Sequence, residues 1–138
     1  MANEWTILTE LEPAVGFTVA DGTGIEKGTL LKLTDNMTAI ITSASADKIA
    51  GIAAEEKVAS DGKTEIGVYL RAIMKCTAGG TITAGDGLIS ETGGTNEVLA
   101  DTAAADNAAI FGIALQDATD GQTLKVLLNV GIGGSRES

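Results

Sequence analysis

The sequence has no histidine, and it has only one cysteine, Cys76, among its 138 residues. Without histidine, the usual general base near neutral pH and the commonest metal ligand are missing. A single cysteine cannot form a disulfide within the chain. No histidine is present to activate Cys76, so we interpret it as a small core or interface residue. We therefore expect a protein that is not an enzyme and that needs no cofactor and no metal.

Aromatic residues make up only 3% of the chain, so Val, Ile, Leu and Ala must build its core. Basic residues are also scarce: the chain has nine basic and 19 acidic residues, which gives a net charge of −10. An acidic surface repels phosphate backbones, so we expect no nucleic-acid partner. No apolar run approaches the roughly 20 residues that span a bilayer, and the N-terminus lacks a signal-peptide pattern. We therefore expect no membrane partner and synthesis in a cytoplasm.

Glycine, by contrast, is abundant, with 18 residues against a single proline. This combination suits tight hairpins and bulges and is unfavourable in long helices. Short alternating segments separate the turn signals, and one of them is expected to run as a single strand from Ile66 to Ile73. The pattern predicts an all-β fold, a compact small β-barrel or β-sandwich. We also expect short helical turns, one of them with Asp101 as its N-cap.

The chain contains an internal repeat. Three motifs recur in the same order: 25–31 as 82–88, Gly51-Ile52-Ala53 as Gly112-Ile113-Ala114, and 66–70 as 124–128. The copies are separated by 57, 61 and 58 residues, respectively. Two copies are too few for a solenoid, which needs at least three to bury its faces. The near-constant separation therefore predicts two pseudo-repeated β units within one fold.

The first 15 residues lie outside this repeat and contain the only tryptophan, Trp5, and the only proline, Pro13. Residues 5–9 have strong strand propensity, but no turn signal joins them to a partner strand. We predict an extended N-terminal arm at 1–15, a single β domain at 16–131 and a flexible C-terminal tail at 132–138. The alternative is a first strand packed on its own domain.

An extended arm could add a strand to an exposed sheet edge of a neighbouring subunit. Trp5 is the natural anchor of such an arm, because buried tryptophan is enriched among interface hot spots. The candidate partner-binding residues are Glu4, Trp5, Thr6, Ile7, Leu8 and Thr9.

The repeated pattern resembles the head decoration, or capsid cement, proteins of tailed bacteriophages. The resemblance covers about 16–131 and depends on Gly28, Leu31, Gly51, Ile52, Ala53, Gly85, Asp86, Leu88, Gly112, Ile113, Ala114, Val126 and Leu128. It implies a virion structural protein on the outer capsid surface, assembled in the host cytoplasm. It further implies a homotrimer that binds the major capsid protein and stabilises the head by bridging its subunits. The long loops at 43–48 and 91–109 depart from the shortest members of that family.

Two other functions remain open from the residues alone. The segment Ile73-Met74-Lys75-Cys76 resembles the hairpin of biotinyl or lipoyl carrier domains, with Lys75 as the modified residue. The nearest turn signal, however, lies at 78–80, which would place Lys75 inside or at the end of a strand. A glycine-rich β domain could also be a surface- or carbohydrate-binding module, but so few aromatics offer little stacking surface.

Overall fold

The computed structural model describes residues 3–102 and 109–130, and it confirms the all-β fold class. Within those ranges, a short helical turn is present as a 3₁₀ helix at Thr92–Gly94. The helical turn predicted from Asp101 and the tail predicted at 132–138 extend into residues outside the described ranges. The strands are β1 (Thr6–Glu10), β2 (Val15–Thr18), β3 (Leu30–Asp35), β4 (Thr38–Ile41), β5 (Ile49–Ala53), β6 (Glu65–Tyr69), β7 (Arg71–Thr77), β8 (Gly87–Ser90), β9 (Val98–Ala100), β10 (Gly112–Ala114) and β11 (Thr123–Asn129).

The strands form two units with the same connectivity. In the first unit, strands β2 to β6 form a closed barrel in the order β2-β4-β3-β5-β6. In the second unit, strands β7 to β11 lie in a sheet of order β1-β7-β11-β10-β8-β9. A parallel bridge from Ala78 to Val98 brings β9 back beside the end of β7, as the parallel Thr18–Thr38 pair joins β2 to β4. Each strand of the first unit thus has a counterpart five strands later.

The repeat extends to individual backbone hydrogen bonds. Ile25 and Lys57 exchange two N–H···O bonds of 2.8 and 2.7 Å, and their counterparts Ile82 and Ala118 exchange two of 2.8 and 2.9 Å. The Gly28 N–H donates to Ala53 O at 2.8 Å, and the Gly85 N–H donates to Ala114 O at 2.7 Å (the same bond in the other unit). These bonds confirm the two β units predicted from the sequence.

The repeated glycine of the Gly-Ile-Ala motif has a steric cause. A Cβ atom on Gly112 would lie 2.6 Å from Leu127 O on the paired strand β11. A Cβ on Gly51 would collide with Tyr69 O, and Gly51 also has a φ of 150°. Real Cβ atoms do not come this close to a backbone oxygen, so only glycine lets β5 and β10 approach the last strand of their units.

The chain passes from the first unit to the second at Leu70, which separates β6 from β7. The single strand predicted from Ile66 to Ile73 is therefore wrong: alternation of apolar residues continues across the junction, but the hydrogen-bond partners change. In the described ranges, no helix has the length and apolar character needed to cross a bilayer.

Two hydrophobic clusters form the core. One lies inside the first barrel and includes Phe17, Ile66 and Val68. The other fills the second unit and also includes Trp5 and three residues of the first unit, Leu30, Ile49 and Ile52. The two units therefore share one hydrophobic core where they meet.

Candidate interaction surfaces

The N-terminal segment is part of the second unit's sheet. Strand β1 pairs antiparallel with β7, with Thr6 opposite Lys75 and Glu10 opposite Ala72. Within the arm predicted at 1–15, strand β1 is thus not free for a neighbouring subunit, and it is packed on its own domain as in the alternative interpretation. The physical reason is that β7 offers an unpaired edge of matching length, and pairing with it satisfies backbone groups that an arm would leave to water.

Trp5 is buried in its own chain. Its ring lies 5.9 Å from that of Phe111, centroid to centroid, with the planes tilted by 46°. Its indole Nε1–H donates to Asn96 O at 2.9 Å, and its backbone N–H donates to Gly28 O at 2.9 Å. Trp5 thus joins the first unit to the β8–β9 connection of the second, and it is not exposed as an anchor for a partner.

The remaining predicted arm residues leave one edge uncovered. In the strand order of the described residues, β1 has a neighbour on one side only, which is β7. Its pairing register shifts at Leu8, which is a bulge between Ile7 and Thr9. Leu8 is exposed. Leu11, in the connection between β1 and β2, and Val15, the first residue of β2, are exposed as well. Segment 6–15 therefore presents an exposed strand edge with three apolar side chains.

Lys57 is the most unusual polar residue of the molecule, because its side chain is fully buried at one end of the first barrel. Its ammonium Nζ lies 2.7 Å from Asp61 Oδ1 and 3.0 Å from Asp21 Oδ1. It also donates to the backbone oxygens of Asp21 and Val58, at 2.8 and 2.6 Å. One lysine therefore joins the two loops that close this end, 20–24 and 58–63.

The electrostatics of this cluster favour the charged forms. Burial lowers the pKa of Lys57, but the hydrogen bonds from its ammonium to Asp61 and Asp21 outweigh that effect and raise the pKa above its ordinary value. The hydrogen bond from Lys57 also lowers the pKa of Asp61. The cluster is thus a structural ion pair, and sequence reasoning missed it. The available signal was the lysine at the position where the second unit has Ala118.

The corresponding end of the second unit is open. Ala118 is the counterpart of Lys57 in the paired bridge, and a cavity of about 230 Å³ lies beside it. The cavity is lined by Thr81, Ile82, Thr83, Asp117, Ala118, Thr119 and Gln122. Gln122 Oε1 accepts a hydrogen bond from the Thr119 N–H at 2.9 Å. The side-chain amide of Gln122 thus stabilises the loop that follows Ala118, whereas Lys57 stabilises the corresponding loop of the first unit.

Glu97, in the β8–β9 connection, is a carboxylate with an unusual environment. Burial, a hydrogen bond with Glu91 and the nearby charges of Glu91 and Asp120 together raise the pKa of Glu97. The backbone reinforces this proximity, because the Glu91 N–H donates to Glu97 O at 3.2 Å. Glu91, Glu97 and Asp120 thus lie close enough to repel one another, whereas Asp21 and Asp61 in the first unit share the Lys57 cation.

The two residues considered for chemistry lie in β7. Cys76 is buried in the second unit's core, and burial raises the pKa of its thiol, so this thiol is inert. Lys75 is exposed but lies inside the strand, opposite Thr6 on one side and Lys125 on the other. It is not at a hairpin tip. Among residues 3–102 and 109–130, no group of three or more Cys, Asp or Glu is arranged to hold a metal ion.

Comparison with known proteins gives a fold relationship. No protein-family model matches the chain, and no curated protein matches it. Among solved structures, the crystal structure of the head fiber gp8.5 N base in bacteriophage phi29 is similar, with a TM-score of 0.56 and 21% sequence identity. The match covers 89% of this chain and 98% of that one. At this identity the similarity establishes a shared fold over almost the whole chain.

Proposed function

We propose that this chain is a non-catalytic structural protein of a tailed-bacteriophage head. It binds the outer surface of the assembled head as a homotrimer, and it stabilises the head by bridging subunits of the major capsid protein. The observation that carries the proposal is the shared fold with a phage head fiber base over 89% of the chain. The sequence resemblance to capsid decoration proteins, found independently, points in the same direction.

The proposed contact with the capsid is the exposed edge of β1 and the connection that follows it. A strand of the capsid protein can pair with this edge, and backbone hydrogen bonds then supply affinity. The bulge at Leu8 limits the number of residues that can pair in regular register. Leu8 and Leu11 supply apolar contacts from the same segment. Trp5 and Ile7 act indirectly in this proposal, by fixing the strand on β7. Three copies engaging three sites would raise the overall affinity by avidity alone, without new contacts.

A binding experiment on assembled heads tests the proposal. Heads of the virus that encodes the chain, assembled without it, are mixed with purified protein, and occupancy is measured by cosedimentation and by electron cryomicroscopy. We expect bound density on the outer surface, and we expect Leu8→Glu to reduce occupancy by about tenfold or more. Val58→Glu is the matched control, because Val58 is an exposed apolar residue in the loop beside Lys57. Equal occupancy for both variants would refute the β1 contact, and absence of binding would refute the head role.

The carrier function is disfavoured by the position of Lys75 inside β7. No observation on the described residues favours a carbohydrate-binding module.

A further inference from the structure

Where the two units meet, each buries one of its faces against the other. The face of the other unit that corresponds to it in the repeat remains exposed to solvent. In the first unit, Ile52 projects out of its barrel into the core that it shares with the second unit, and it is 0% exposed. Its repeat counterpart in the second unit is Ile113, which is 43% exposed. The next exposed apolar residue along the chain is Leu115. The face of the second unit that corresponds to the covered face of the first therefore lies open.

The complementary side of the interface shows the same asymmetry. In the second unit, Ser90 is 0% exposed, and its hydroxyl donates to Ala44 O of the first unit at 2.9 Å and accepts from the Asp47 N–H at 3.0 Å. The repeat counterpart of Ser90 in the first unit is Leu33, which is 46% exposed. Beside it, at the tip of the β3–β4 hairpin, Met37 is exposed as well.

We infer that a second copy of this chain binds head to tail, with its Leu33–Met37 hairpin tip on the Ile113–Leu115 face. The internal interface supplies the template: Ile52 is buried in the shared core, and the connection that follows Ser90 bonds to the residue paired with it, because Asn96 Oδ1 accepts from the Leu30 N–H at 2.9 Å. A second copy can present its first unit to Ile113 in the corresponding way. Apolar side chains stand at both open ends, where burial stabilises association.

Such a contact is heterologous, because it joins two different patches of the same molecule. Heterologous contacts either close into a ring or continue as a filament. The inference rests on the homotrimer of the proposed function, for which it names the interface, and a ring of three is the closed form. A net charge of −10 on each copy opposes association, so the contact is expected to strengthen with ionic strength as the repulsion is screened.

Sedimentation velocity on the purified full chain tests the inference without any head. The wild-type protein is measured from about 1 to 500 μM at low and at moderate salt, a range that covers micromolar to submillimolar affinities. We expect concentration-dependent oligomers, more populated at moderate salt. We expect Ile113→Glu and Leu33→Glu each to weaken association by about tenfold or more, and Val58→Glu to leave it unchanged. All three substitutions are at exposed positions, so each variant is expected to fold. Emission from the buried Trp5, the single tryptophan of the chain, verifies this for each variant.

Mixing the two disrupted variants distinguishes this contact from a symmetric one. The Ile113→Glu copy keeps an intact Leu33 tip, and the Leu33→Glu copy keeps an intact Ile113 face, so an equimolar mixture should form dimers and nothing larger. A wild-type monomer across the whole range, oligomers that persist in either variant, or a mixture that stays monomeric would each overturn the inference. Since no head is present, these outcomes are separate from failure of the head-binding experiment.

Discussion

The two units share a backbone and differ in what closes their ends. The first barrel is closed at one end by the buried Lys57 and its two carboxylate partners, whereas the second has Ala118 and an open cavity there. The second unit instead gains an added strand, β1, and the ring of Trp5. A repeated strand pattern therefore fixes hydrogen-bond geometry, while stability at each end comes from residues that the repeat does not share.

Removing the tryptophan should give the largest effect, because it removes the feature that only the second unit has. Trp5→Ala should lower the free energy of unfolding by about 3–5 kcal/mol, since it deletes a buried ring and the hydrogen bond to Asn96. Denaturant unfolding followed by circular dichroism measures it. Trp5→Phe keeps a ring and should cost less. A loss below about 1 kcal/mol for Trp5→Ala would show that the segment is a loosely held arm after all.

Substituting the repeated glycine tests the feature that the units have in common. Gly51→Ala and Gly112→Ala should each destabilise by about 1–3 kcal/mol, because the added Cβ meets a carbonyl oxygen of the paired strand. Gly51→Ala should cost more, since its φ of 150° adds backbone strain. Parallel denaturant titrations measure both. Gly62→Ala is a useful control with a positive φ and open space around it. If the Gly51 and Gly112 variants lose no more than this control, the close approach is not what selects glycine.

Replacing the buried lysine should make the first unit resemble the second. Lys57→Met keeps most of the side-chain volume but leaves Asp21 and Asp61 without their shared cation, so Tm should fall by roughly 5 °C. Differential scanning calorimetry measures it, and Lys63→Met is the control, because Lys63 makes only an exposed ion pair with Glu55. Equal Tm values for the two variants would mean that burial of Lys57 contributes nothing to stability.

The smallest expected effect concerns pH, and it has opposite signs in the two units. The lowered pKa of Asp61 contributes stability that is present above its ordinary value of 3.8 and is lost as pH falls through the lowered folded value. The raised pKa of Glu97 contributes stability that is present below its ordinary value of 4.5 and is lost as pH rises through the raised folded value. Hydrogen exchange during acidification should therefore show loop 58–63 losing protection before loop 91–97.

Two substitutions isolate these contributions. Glu97→Gln should raise Tm slightly at neutral pH and have no effect at acid pH, because it removes a charge that the loop disfavours. Asp61→Asn should remove the acid-side loss in the first unit. If acidification opened loop 91–97 first, the assignment of the two signs would be reversed.

The sequence was sufficient to predict the all-β class from its short alternating segments and glycine turns. It also predicted the two units, because a steric contact within each unit requires the glycine of the repeated Gly-Ile-Ala motif. It was insufficient to place Trp5, whose partners Gly28, Asn96 and Phe111 lie 23 to 106 positions away along the chain and carry no motif. Strong strand propensity at 5–9, with no turn signal to a partner strand, favoured the interpretation of an arm. Lys57 was missed for a related reason, since its two carboxylates belong to loops with no shared pattern.

The docking of Trp5 has a consequence for how the protein is made. Its indole donates a hydrogen bond to Asn96 O, so Trp5 cannot complete its docking until about ninety further residues have been synthesised. The segment that contains β1 also depends on β7, with which it pairs, and on the loop after β8, which contains Asn96. Docking of Trp5 should therefore come late in folding, and a bulky group inserted just before Trp5 would interfere with this late step rather than with an early one.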